Sequence, residues 1–214
     1  MSELVFDVVD VTADPYAAGP TLRFIIRVAE TSGNPVHALA LRVQIRIEPA
    51  RRRYTPEQER RLLELFGEPS RWGDTLKAMQ FAQVSAVVPG FTGSTDVQVD
   101  VPCTYDLEIA ATKYLHALDD GEIPLLLLFS GTVFYKTADK SYQVAQVPWS
   151  KEASFRLPAA TWRQMMDYFY PGSGWLRVDT ATIDALMRFK AERALPTWEQ
   201  TFKLLLKEAG EEGL

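Results

Sequence analysis

Cysteine and histidine are nearly missing from this 214-residue chain, which holds one of the first and two of the second. Cys103 alone cannot close an internal disulfide, and one Cys with two His cannot complete a four-ligand zinc pattern. Positive charge is also short. Lys and Arg number 23 against 28 Asp and Glu, a net charge of -5, so the broad basic footprint of a nucleic-acid or acidic-membrane binder is lacking. Long apolar runs are missing too: the greasiest stretch, Ile123 to Phe129, falls far below the roughly 20 residues of a membrane span. The Met1-Ser2-Glu3-Leu4 start carries an acid where a secretory leader carries basic residues. With a lone cysteine this predicts a cytoplasmic protein, with no nucleic-acid partner and no membrane insertion.

What the chain has in plenty is alternation. Leu22, Phe24, Ile26 and Val28 share one face against Arg23 and Arg27, and Leu39, Leu41, Val43, Ile45 and Ile47 repeat the beat against Arg42, Gln44, Arg46 and Glu48. Strand side chains alternate with period 2, so each segment has one apolar side and one wet side. Thr31-Ser32-Gly33-Asn34-Pro35 between them reads as a hairpin turn. Further strands are expected at Leu4–Val9, Phe81–Val88, Thr95–Val101, Leu125–Tyr135 and Tyr142–Val147, with Asp139-Lys140 as a turn. Tyr105, Leu107, Ile109 and Ala111 continue the beat, while 110–118 reads equally as strand end or helical turn.

Four segments change period. Thr55-Pro56-Glu57-Gln58 has a capping hydroxyl, a proline at the first helical position and a glutamine three residues on, and Gly67 with Pro69 stops the helix that follows. From Pro158 onward the spacing becomes 3.6. Trp162, Met165, Met166 and Phe169 mark one helix, Ile183, Leu186 and Met187 a second opened by Asp179 or Thr180, and Thr197-Trp198-Glu199-Gln200 opens a third. The expected fold class is α+β, mainly β: an antiparallel Ig-like β-sandwich (residues 1–157) with an inserted short helix at about 55–66. A C-terminal helical segment (158–214) is expected to pack on the same core.

The chemistry is sparse. His37 reads as a polar residue at a strand start, and His116 beside Asp119, Asp120 and Glu122 reads as part of an acidic turn rather than a metal nest. Cys103 with a histidine would make a nucleophile pair in principle, but it lies in a strand-rich region without an oxyanion loop and reads as a small buried hydrophobe. Pro89-Gly90-Phe91-Thr92-Gly93-Ser94 has no lysine and leads into a strand, so it is no phosphate loop. Arg51 to Arg53 with Arg60 and Arg61 form the one dense basic patch, diluted by Glu57, Glu59 and Glu64. Tryptophans gather at turns, where they cap a core or anchor a partner. The candidate interface is therefore Arg52, Arg53, Arg60, Arg61, Trp72, Trp149, Trp175 and Trp198; no catalytic residue, cofactor or metal is assigned.

Several blocks carry a family resemblance. They include Asp14-Pro15-Tyr16-Ala17-Ala18, Ala38 through Pro49, Arg71-Trp72-Gly73-Asp74-Thr75-Leu76-Lys77, Cys103-Thr104-Tyr105-Asp106-Leu107-Glu108 and Leu115 through Leu125. Nearly end to end, the chain resembles a bacterial, mainly actinobacterial, family of unknown function often encoded beside uptake NiFe-hydrogenase genes. The resemblance implies an accessory protein whose partner is a hydrogenase subunit or maturation factor. Two alternatives stand beside it: a homo-oligomer joined through sheet edges, and a small-ligand binder or enzyme using a pocket near His116 with Asp119, Asp120 or Tyr105.

Overall fold

The computed structural model describes residues 3–104, 106–107, 109–136 and 141–211. The expected Asp139-Lys140 turn and Tyr105 lie outside them. The chain divides into two compact units, Met1–Trp175 and Leu176–Leu214.

The first unit is an antiparallel β-sandwich. Its strands are β1 (Leu4–Ala13), β2 (Thr21–Glu30), β3 (Val36–Ile47), β4 (Met79–Phe91), β5 (Ser94–Pro102), β6 (Glu122–Lys136), β7 (Tyr142–Gln146) and β8 (Glu152–Pro158). One sheet runs β1-β2-β5; the other runs β4-β3-β6-β7, with β8 also paired to β6. The alternating residues face the core: Leu22, Phe24, Ile26, Val28, Leu39, Val43, Ile45 and Ile47 are fully buried, and Val97, Val99 and Val101 nearly so. Each buried side chain of this size contributes about 1.5–3 kcal/mol from burial. Aromatic contacts tie the layers together, Phe6 stacking on Phe129 at 4.3 Å and Phe24 meeting Phe155 edge-on at 6.2 Å.

The hairpin expected between Leu22 and Pro49 does not form. β2 pairs with β1 and β5, and β3 pairs with β4 and β6, so residues 31–35 carry the chain from one sheet to the other. Alternation fixes which side of a strand is apolar, and both strands do turn that side to the core; it does not fix the neighbour. Glu30 is buried at the crossing and anchors it, accepting hydrogen bonds from the Ser32 hydroxyl and the Asn34 amide. The strand β8 lies outside the expected set, although it alternates: Ala153 and Leu157 are buried and Phe155 half-buried, between exposed Glu152, Ser154 and Arg156.

β6 organises the larger sheet. One edge pairs with β3 along its length, while the other is shared, β8 taking Glu122–Leu128 and β7 taking Thr132–Lys136. Gly131 marks the changeover, with φ +146; a Cβ there would stand 2.0 Å from the Ala40 carbonyl oxygen of β3.

Between β3 and β4 lies an insertion: a 3-10 turn Pro49–Arg51, then α1 (Pro56–Arg61), α2 (Leu63–Phe66), a 3-10 turn Pro69–Arg71, and α3 (Trp72–Thr75). The capping box forms as expected, the Thr55 hydroxyl accepting from the Gln58 amide and the Gln58 side chain accepting from the Thr55 amide. Gly67 ends α2 at φ 72. The ambiguous 110–118 stretch is helical, α4 (Ala110–His116), with Ala111, Tyr114 and Leu115 buried. The strand-like beat proposed through Leu107 and Ile109 does not continue β5, which ends at Pro102; among the described residues Asp106 makes an isolated bridge to Trp175. Next, α5 (Ala159–Phe169) buries Trp162, Met165 and Met166 within this first unit.

The second unit is a helical hairpin, α6 (Thr180–Glu192) and α7 (Trp198–Glu208), capped at Thr197 by its bond from the Gln200 amide. The Lys190 ammonium donates to the Leu195 and Pro196 carbonyls and closes the turn between them.

Candidate functional site

The insertion is seated on an aromatic cluster. Trp72 and Phe66 meet Tyr54 and Tyr114 edge-on, with ring centroids 5.1 to 6.4 Å apart. The Tyr54 hydroxyl donates to the Pro49 carbonyl at 2.7 Å and stands 2.8 Å from the Tyr114 hydroxyl. Burial pushes both phenols above their ordinary range. Trp72 is buried, and its ring N–H donates to the Gly67 carbonyl at 2.9 Å. A side chain held this way has no face for a partner, so Trp72 caps a core instead.

Outward from this cluster, the insertion is stitched to the loop between α4 and β6. Arg61 donates to Asp119 at 2.6 Å and Arg163 of α5 reaches the other carboxylate oxygen at 2.9 Å. Arg163 also donates to the Leu118 and His116 carbonyls. Buried Gln58 receives Arg52 and donates to Asp120 at 3.1 Å. Asp119 is held below the usual carboxylate range chiefly by its bond from Arg61. The acidic run 119–122 thus receives guanidinium and amide donors, and the described residues hold no group of three His, Cys, Asp or Glu placed for a metal ion.

Two clefts open beside these stitches. One, about 520 Å³, is lined by Arg61, Glu64, Lys113, His116, Asp119 and Arg163 among others. Its charges are matched: Arg61 and Arg163 on Asp119, Lys113 on Glu64. Partial burial, then the nearby guanidinium groups of Arg163 and Arg61, push the His116 imidazole below its ordinary value, with Asp119 opposing. The other cleft, about 650 Å³, is lined by Ala50, Arg51, Arg52, Arg53, Gly121, Glu122 and Arg156. Arg52 and Arg53, expected as interface residues, both line it, and Arg156, which no local pattern marks, arrives from β8.

The remaining candidates scatter. Arg60 pairs with Glu57 on its own helix. Trp149 is 92% exposed and Trp175 64%, while Trp198 stacks on Phe202 in the second unit. Cys103 follows β5 and His37 opens β3, in different sheets; burial pushes the Cys103 thiol up to about 12, and His37 lies against Tyr142 with ring centroids 4.9 Å apart. Of the glycine-rich 89–94 stretch, Pro89 to Phe91 end β4, Ser94 opens β5 and Thr92-Gly93 turn between them; a Cβ on Gly90 would stand 2.8 Å from the His37 carbonyl oxygen.

No helix among the described residues is long and apolar enough to cross a membrane. No curated protein matches the chain. Among solved structures it is similar to the CARDB domain of a Pyrococcus furiosus protein (8% identity over 73% of this chain and 92% of that one, TM-score 0.30). It is also similar to a putative late embryogenesis abundant protein (15% identity, 72% and 71% covered, TM-score 0.31). Residues 1–213 match a family described as "Family of unknown function (DUF6084)", and the chain belongs to that family.

Proposed function

We propose that this chain is a non-catalytic interaction protein that grips a protein partner through aromatic side chains held on rigid turns. One observation carries the reading. Trp149 projects almost wholly into solvent from the turn between β7 and β8, where the outer edge of β6 changes partner. That turn is fixed on three sides: Lys151 donates to the Pro148 carbonyl at 3.1 Å, Val147 to that of Gly131 and Phe129 to that of Lys151, both at 2.9 Å. A large apolar ring held in water on an ordered backbone has lost little further entropy to give up on docking, which is the character of an interface anchor.

The partner suggested by the family resemblance is a subunit or maturation factor of a NiFe-hydrogenase. Affinity purification from the native host with mass spectrometry tests this. Recovery of hydrogenase components by the natural chain, lost with Trp149→Ala, supports it. Recovery of none, with hydrogenase activity unchanged on deletion, removes it.

A second reading, self-association through β4, has its own observation. β4 pairs with β3 on one edge, has no strand partner on the other among the described residues, and carries no charge in 13 residues. An uncharged edge can template strand pairing, here along the stretch between the irregularity near Phe81 and Pro89. A concentration-dependent dimer by light scattering, abolished by Val87→Lys, supports it; monomer throughout removes it.

A further inference from the structure

We infer that the arginine-lined cleft at the base of the insertion is a binding site for a phosphoryl group, independent of any protein-docking role. Four guanidinium-bearing residues, Arg51, Arg52, Arg53 and Arg156, line it against the single carboxylate of Glu122. The chain as a whole carries -5, so this concentration of positive charge runs against the composition of the protein. The four come from two distant parts of the sequence: three follow one another after β3, and Arg156 stands on β8 opposite Pro124.

Arg52 is the fixed member. Its guanidinium donates to the Arg53 and Glu122 carbonyls and to Gln58, and lies 5.1 Å from the Tyr54 ring centroid. Gly121, at φ +77, lies close enough that a Cβ would touch the Arg52 guanidinium at 3.5 Å. These contacts set the orientation before a ligand arrives, so little side-chain freedom is lost on binding. Of its five N–H groups, three are engaged in those bonds.

Arg51 and Arg156 are nearer to free. Their closest carboxylates, Glu48 and Glu122, stand 4.0 and 3.8 Å away, both beside the Nε atom. Those separations exceed hydrogen-bond length, leaving the terminal nitrogens available to an incoming oxyanion. A carboxylate offers two oxygens in one plane, whereas a phosphoryl group offers several around a tetrahedral centre, which suits a cleft lined by arginines from different elements. The cavity of about 650 Å³ has room for a diphosphate.

Calorimetric titration of the full chain with inorganic pyrophosphate, at ionic strength held constant with sodium chloride, tests the site. Saturable one-site binding is expected, at least tenfold tighter than for citrate under the same conditions. The double variant Arg53→Gln/Arg156→Gln should weaken pyrophosphate at least tenfold while unliganded thermal unfolding stays in place; Arg71→Gln, outside the cleft, should leave affinity unchanged. Tighter binding of ADP than of pyrophosphate would assign a nucleotide as the source of the group, and equal or weaker binding a free phosphate. No saturable binding, citrate binding as well as pyrophosphate, or an affinity untouched by the double variant would overturn the assignment.

Discussion

Phe6 of β1 and Phe129 of β6 stack with centroids 4.3 Å apart and planes 11° from parallel, directly joining the two sheets. Phe129 is 1% exposed, so truncation leaves a void that neighbours on two rigid sheets cannot close. Phe129→Ala should lose about 3–5 kcal/mol of stability. Urea unfolding of both proteins, compared at equal slope, measures it; a loss under 1 kcal/mol would mean the layers are not held through this pair.

Gly131 poses a sharper steric question. A side chain there meets the Ala40 carbonyl at 2.0 Å from a backbone of φ +146, in the middle of the sheet, and neither β3 nor β6 can retreat without breaking its ladder. Gly131→Ala should therefore destabilise severely or prevent folding, whereas Gly19→Ala, with nothing within 4 Å, should move stability by no more than about 0.5 kcal/mol. Circular dichroism melts of the two variants decide it.

How far the residues announced this structure depends on whether the signal was local. The Thr55–Gln58 capping box, the Gly67 stop and the inward faces of β2, β3 and β5 are written within a few residues and appear as read. Strand pairing is a relation between distant segments, so the β2–β3 connection looked like a hairpin although the two strands belong to opposite sheets. The four-arginine cleft was half visible for the same reason: Arg51, Arg52 and Arg53 are adjacent, but nothing near Arg156 says that β8 will place it beside them. Trp72 misled because a turn-rich neighbourhood suggests exposure, whereas its ring is enclosed by Tyr54 and Phe66.

The cap at the head of α1 should be worth measuring because Gln58 does two jobs. Thr55→Ala removes only the cap acceptor and should cost about 1 kcal/mol. Gln58→Ala removes the reciprocal bond and also strands its buried contacts with Arg52 and Asp120, so it should cost more than Thr55→Ala. Equal losses by denaturant titration would show that the Arg52–Gln58–Asp120 chain contributes nothing to stability.

Cys103 should resist alkylation. Its thiol, pushed up to about 12 by burial, is almost wholly protonated at neutral pH, and the thiolate is the reacting species. Iodoacetamide at pH 7.5 should label the native protein far more slowly than the protein in denaturant. Comparable rates would place the thiol in an open, activated setting.

Stability should fall with acid in a window set by His116. Its folded value lies below the ordinary 6.5, because partial desolvation and the charges of Arg163 and Arg61 disfavour the imidazolium. Between the folded and unfolded values the unfolded chain binds more protons, so lowering the pH through 6.5 pulls the equilibrium toward unfolding. The stabilisation is present above that value and lost below it. Asp119, whose value is lowered by Arg61, acts in the same direction but only in the carboxylate range below about 4. The two are separable: His116→Gln should flatten the stability profile between pH 7.5 and 5.5 and leave the loss below pH 4 in place, while Asp119→Asn should blunt the latter. Denaturant midpoints at each pH read both, and a His116→Gln profile superimposable on the parent between pH 7.5 and 5.5 would show that the imidazole is solvated in the folded chain as it is in the unfolded one.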